Sequence, residues 1–67
     1  MSVARITEIS ATSAKSFDDA VSAGVKRTAK TLQNVTGAWI MDQEVTVKDG
    51  KIEECRVKMK VTFILKD

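Results

Sequence analysis

The chain contains no histidine and no proline, and only one cysteine and one tryptophan. Each shortage excludes something. Without histidine, and with one thiol, a structural zinc site cannot be built. Cys55 has no partner for an intrachain disulfide. A nucleophilic cysteine needs a nearby base, and none is at hand, so an enzyme is not expected. No stretch approaches the ~20 apolar residues of a membrane span. The opening Met-Ser-Val-Ala-Arg-Ile-Thr-Glu has no apolar run long enough for a signal peptide. A cytoplasmic protein without a membrane partner is therefore expected. The net charge of +2 is too small to argue for nucleic acid.

What remains is a chain of 67 residues, enough for one domain spanning 1–67. A chain this short buries only about 60% of the surface its unfolded form exposes. Small proteins offset that deficit with disulfides, a structural metal such as zinc or oligomerisation. The first two are excluded, so self-association is the expected remedy.

Residues 3–10, Val-Ala-Arg-Ile-Thr-Glu-Ile-Ser, are short and rich in β-branched types and read as a strand. Ala11-Thr12-Ser13 is expected to break it. Ser16 then suits a helix N-cap, with Asp18 and Asp19 in the first turn where carboxylates meet the positive end of the dipole. Ser16 and Asp19 form a loose capping box. Phe17, Ala20, Val21, Gly24, Val25, Thr28 and Leu32 follow at helical spacing as one stripe. Lys26, Arg27 and Lys30 suit the C-terminal half, and Asn34 suits a stop. A helix over about 16–33 is expected.

The remainder reads as a long hairpin. Asp49-Gly50 is a strong signal for a type I′ turn, which needs positive φ at both positions. If those two residues are the turn, Cys55, Val57, Met59, Val61, Phe63 and Leu65 line one face and must lie against the helix. The other face carries Trp39 opposite Lys60, Met41 opposite Lys58, Gln43 opposite Arg56 and Val47 opposite Ile52. Asp42 and Glu44 fall on the helix side in this register, and a bulge would shift it locally. The expected fold class is α+β: a β-α-β-β protomer, three antiparallel strands with one helix on one face. Trp39, Met41, Val45, Val47, Ile52 and Ile64 are left on the other face, too much apolar surface for a comfortable monomer.

The chain resembles the dodecin family. Met-Ser-Val-Ala-Arg-Ile-Thr-Glu-Ile-Ser-Ala-Thr-Ser is similar to the family's first strand and its Gly-Thr-Ser turn, with Ala11 for the glycine. Lys26-Arg27 through Thr31-Leu32-Gln33-Asn34-Val35 is similar to the end of the family helix, and Asp49-Gly50-Lys51 to its hairpin turn. Cys55-Arg56-Val57-Lys58-Met59-Lys60-Val61-Thr62-Phe63-Ile64-Leu65 resembles the closing Tyr-Gln-Val-x-x-x-Val-x-Phe-Arg-Leu. The resemblance implies a hollow spherical homododecamer that stores or buffers flavin, riboflavin or FMN, stacked in pairs between tryptophans at subunit interfaces. Three positions depart from the pattern. The family's stacking tryptophan aligns with Gly37, its flavin-pairing glutamine with Arg56, and the arginine of Phe-Arg-Leu with Ile64. A calcium-binding branch also lacks that tryptophan and carries arginine at the glutamine position. The chain resembles that branch around Ala38-Trp39-Ile40-Met41-Asp42-Gln43-Glu44.

The candidate ligand-binding residues are Trp39, Arg56, Gln43, Met41 and Lys58. Trp39 lies one pleat from Gly37 on the same face, about 7 Å along the strand. It either stacks on a flat ring or anchors a neighbouring subunit. Arg56 either donates to flavin carbonyls or a phosphate, or forms an inter-subunit ion pair with a glutamate such as Glu54 or Glu44. Gln43 supplies an amide that position 56 lacks. Arg56, Lys58 and Lys60 form a basic row beside Trp39 that either attracts a phosphorylated ligand or is ion-paired. Asp42 and Glu44, with Asp49 and Glu53, are the oxygen ligands available to calcium, although their spacing fits no EF-hand. Cys55 is expected to be a buried small hydrophobe. The alternative function is a flavin-free assembly that holds cations or serves as a structural shell.

Overall fold

The computed structural model describes residues 3–65. The order is β1 (Val3–Ser13), α1 (Phe17–Thr31), β2 (Val35–Lys48) and β3 (Lys51–Leu65). The strands form one antiparallel sheet in the order β1-β3-β2, so the most apolar strand is central. Residues 1, 2, 66 and 67, at the ends of the expected domain, lie outside the described residues.

The first strand continues through Ala11-Thr12-Ser13 instead of breaking there. Those residues pair with Val57, Arg56 and Cys55, and the ladder outweighs their low strand preference. Ser13 then organises the turn into the helix. Its hydroxyl donates to Asp19 Oδ2 at 2.6 Å and accepts from the Lys15 and Ser16 amides at 2.9 and 3.4 Å. Ser16 is the N-cap, and its Oγ accepts from the Asp19 amide at 3.0 Å. Only half of the expected capping box forms, because the Asp19 carboxylate is taken by Ser13. The helix starts one residue later and stops two residues earlier than the sequence pattern suggests. Asn34, at φ 64°, takes the left-handed turn that its short polar side chain tolerates. Its carbonyl accepts from the Ile64 amide at 3.0 Å, which pins the start of β2 to β3.

The core lies between the helix stripe and the centre of β3. Ala20, Val57, Met59 and Val61 are fully buried, flanked by Ile9, Ala11, Phe17, Val21, Val25, Val35 and Ile40. Small residues let the helix come close. A Cβ built on Gly24 would lie 2.7 Å from Met59 Cε and 3.1 Å from Ala11 Cβ. Cys55 is half-buried, not enclosed, since it sits at the end of the β1–β3 ladder opposite Ser13, just before the helix begins.

The turn is as read: Asp49 at φ 53° and Gly50 at φ 77° join β2 to β3. The register is not. It holds from Gly37 to Ile40 and again at Val47 and Lys48, but irregularities fall between Val35 and Gly37, Ile40 and Asp42, and Thr46 and Val47. Met41 is the extra residue of the middle irregularity, and Asp42, not Met41, faces Lys58. From there to Thr46 every partner is displaced by one, which turns each side chain to the other face. Glu44 therefore faces Arg56, and Gln43 faces the buried Val57. Val45 pairs with Cys55 on the helix side of the sheet. Alternation carries Val47 to that side too, and Ile52, its partner across the irregularity at Glu53, goes with it, whereas the uninterrupted register places all three beside Trp39. Ile64 is half-buried opposite Ala4.

The helix is too short for its sheet. Fifteen residues at 1.5 Å give roughly 22 Å, whereas the molecule extends 51 Å along its longest axis. The radius of gyration is 13.8 Å, against about 11 Å for a compact domain of this length. The accessible surface is 5098 Å², against roughly 4,200 Å² for a compact monomer of this mass. The surplus is close to the ~800 Å² that each partner buries in a standard protein interface.

Candidate functional site

The sheet face away from the helix is assembled from all three strands. Partners directly opposite share a face, so the register places Ile6, Glu8, Ser10 and Thr12 of β1 there, with Thr62, Lys60, Lys58 and Arg56 of β3. From β2 come Gly37, Trp39, Asp42, Glu44 and Thr46.

Trp39 stands on the edge strand β2 of this face and is 66% exposed. Its strand neighbour on the same face is Gly37, and a Cβ built there meets nothing within 4 Å. The ring thus has open space along its own strand. On the β3 side, the Lys60 ammonium lies 5.4 Å from the ring centroid, a cation–π distance. Met41 is at the edge of the same region and is partly exposed. A flat hydrophobic surface with a cation at one side and a gap at the other is suited to receive a planar ring.

The basic row is matched by carboxylates. Arg56 Nη1 lies 3.4 Å from Glu44 Oε1. Lys58 faces Asp42, and Lys60 faces Glu8 across β1. Glu54, opposite Thr46, extends the same β3 row. Of the five candidate ligand residues, the structure brings Trp39, Lys58 and Arg56 onto one face, with Met41 at the bulge, and turns Gln43 away. Lys60, Glu8 and Glu44 join the face. Their roles follow from the register, and only the bulge residue hides Glu44's position from the sequence.

Asp42 and Glu44 share the outer face after the bulge, but each is opposite a cation. Asp49 is at the turn, and Glu53 is the irregular residue of β3. Among the described residues no three His, Cys, Asp or Glu side chains converge on a common point. A calcium ion would need carboxylates from another copy, since it takes six to eight oxygens. A separate groove of about 290 Å³ lies between α1 and β1, lined by Ile9, Ala11, Gly24 and Thr28 with Arg27 at its side. It opens on the helix side, away from Trp39. No helix among the described residues is long and apolar enough to cross a membrane.

Residues 3–66 match the family model described as Dodecin. A dodecin from Streptomyces davaonensis superposes with a TM-score of 0.94 at 32% identity, over 98% of this chain and 97% of that one. A dodecin from Streptomyces coelicolor gives 0.94 at 27% identity, over 98% and 94%. A calcium-chelating antigen of Mycobacterium tuberculosis, calcium dodecin, which has a calcium-binding site, gives 0.83 at 28% identity, over 96% and 91%. No curated protein sequence matches the chain.

Proposed function

The chain belongs to the dodecin family, and we propose that it is a non-enzymatic store or buffer that holds a flavin between copies of itself. Family membership makes it a small-molecule-binding protein. The single observation that favours a flat ring is Trp39, exposed on a sheet face beside the open position of Gly37. A buried aromatic would be core; an aromatic presented this way contributes only when something covers it. Self-association supplies the cover, and the surplus surface supports it. Dodecameric closure would follow the family, and a cytoplasmic location the composition.

The mechanism is sequestration. The ring stacks on Trp39 and is closed in by a neighbouring subunit, where exclusion of water protects a photoreactive isoalloxazine. Arg56, Lys58 and Met41 border the ring, and Gln43 contributes only from another copy, since its own strand turns it away. The test is riboflavin fluorescence on titration with native protein and with Trp39→Phe. Native protein should quench it saturably at micromolar levels, and Trp39→Phe should bind more weakly. Unchanged flavin fluorescence would end the flavin reading. Cation binding is the second reading, favoured by the bulge that moves Asp42 and Glu44 together to the open face. It requires a calcium-dependent thermal shift that chelator abolishes.

A further inference from the structure

We infer that the Trp39 face selects an uncharged flavin over its phosphorylated form, and that the Glu44–Arg56 pair sets the choice. The inference rests on the flavin reading and names which flavin this chain prefers. The β3 row beside Trp39 offers three cations, each with a carboxylate opposite it in the ladder, and one of them, Arg56, is ion-paired. Arg56 Nη1 is held 3.4 Å from Glu44 Oε1, Lys58 faces Asp42, and Lys60 faces Glu8 while its ammonium sits over the Trp39 ring. Glu54 adds a fourth carboxylate to the β3 row. Two of these acids, Asp42 and Glu44, are on the strand that carries Trp39 itself.

A phosphate brings about −1.5 to −2 charges at neutral pH. To bind at Arg56 it must draw the guanidinium away from Glu44. It would then lie beside the carboxylate it displaced, and like charges brought together in a closed interface repel strongly. The terminal hydroxyl of riboflavin, which FMN replaces with phosphate, makes the opposite fit: it donates to carboxylates, and carboxylates are acceptors only. Ser10 and Thr12, on the same face, add hydroxyls that both donate and accept. The bulge at Met41 makes this arrangement, because without it Gln43 would face Arg56 and leave the guanidinium unpaired.

The experiment compares riboflavin and FMN titrations at low ionic strength for the native protein, Glu44→Gln and Asp42→Asn. The readout is the ratio of the two dissociation constants. Native protein should favour riboflavin by about tenfold, and Glu44→Gln should shrink the ratio roughly threefold or more by tightening FMN, as expected when a like charge is removed and a cation is freed. Asp42→Asn should act in the same direction and covers the case in which Glu44→Gln does not fold. Native protein that binds FMN as tightly as riboflavin overturns the inference while leaving the flavin reading intact. So does a ratio that both variants leave unchanged. If neither flavin binds, the flavin reading and this inference fall together.

Discussion

Gly24→Ala sets two effects of known size against each other. In a helix interior the change gains about 1 kcal/mol of propensity. Here the new methyl would lie 2.7 Å from Met59 Cε, 3.1 Å from Ala11 Cβ and 3.4 Å from Ile9 Cδ1. Carbon atoms pack best at about 3.5–4.0 Å, so the first contact is short by roughly an ångström. The Met59 tail is flexible, but it is fully buried with Val57 and Val61 beside it. The Ala11 methyl is fixed to the β1 backbone and cannot rotate away. The helix must lift, and overpacking of this kind costs about 1–3 kcal/mol. The net is a loss of roughly 1 kcal/mol, or about 4–8 °C in Tm for a domain of this size. Thermal unfolding at fixed protein concentration measures it, because self-association makes Tm depend on concentration. Met59→Val removes the clashing end, so the double variant should lose less than the two single losses combined. A Gly24→Ala protein as stable as the native one would refute the close approach of helix and sheet.

Three further outcomes follow from named contacts. Ser13→Ala leaves the Lys15 and Ser16 amides and the Asp19 carboxylate without their shared partner; it should cost about 1–3 kcal/mol, read by denaturant unfolding, and a neutral result would show that the turn is held otherwise. Gly50→Ala, at φ +77°, should cost about 1–2 kcal/mol in the same assay, although a Cβ there meets no atom within 4 Å. Trp39→Ala should weaken riboflavin by about 1–3 kcal/mol, the scale of ring stacking on an aromatic, when measured by flavin fluorescence, with little change in monomer folding because the ring is mostly exposed.

The elements were legible because their signals are local. Ser16 with its two following aspartates, the Phe17-to-Thr28 stripe and Asp49-Gly50 each specify a conformation within a few residues. The end of β1 was less legible: Ala11-Thr12-Ser13 resembles a break and becomes strand only because Cys55, Arg56 and Val57 lie opposite. The site was legible as far as the register held. Trp39 beside Lys60 and the exposed face followed from alternation and the turn. The bulge at Met41 did not, since an extra residue is set by how the sheet twists and packs, not by a residue type. That one residue moves Gln43 off the site and brings Glu44 to Arg56. With the irregularity at Glu53 on β3, it also explains why Val45, Val47 and Ile52 lie exposed on the arm beyond the helix and not beside Trp39.

The central claim joins two statements, that copies of the chain assemble and that the assembly holds a flavin on the Trp39 face. Sedimentation velocity with added riboflavin, followed at both the protein and the flavin absorption bands, tests both at once. One boundary many times heavier than the 7.3 kDa chain is expected, with flavin absorbance moving in it. Protein that sediments as a monomer, or an assembly that leaves the flavin behind, would contradict it.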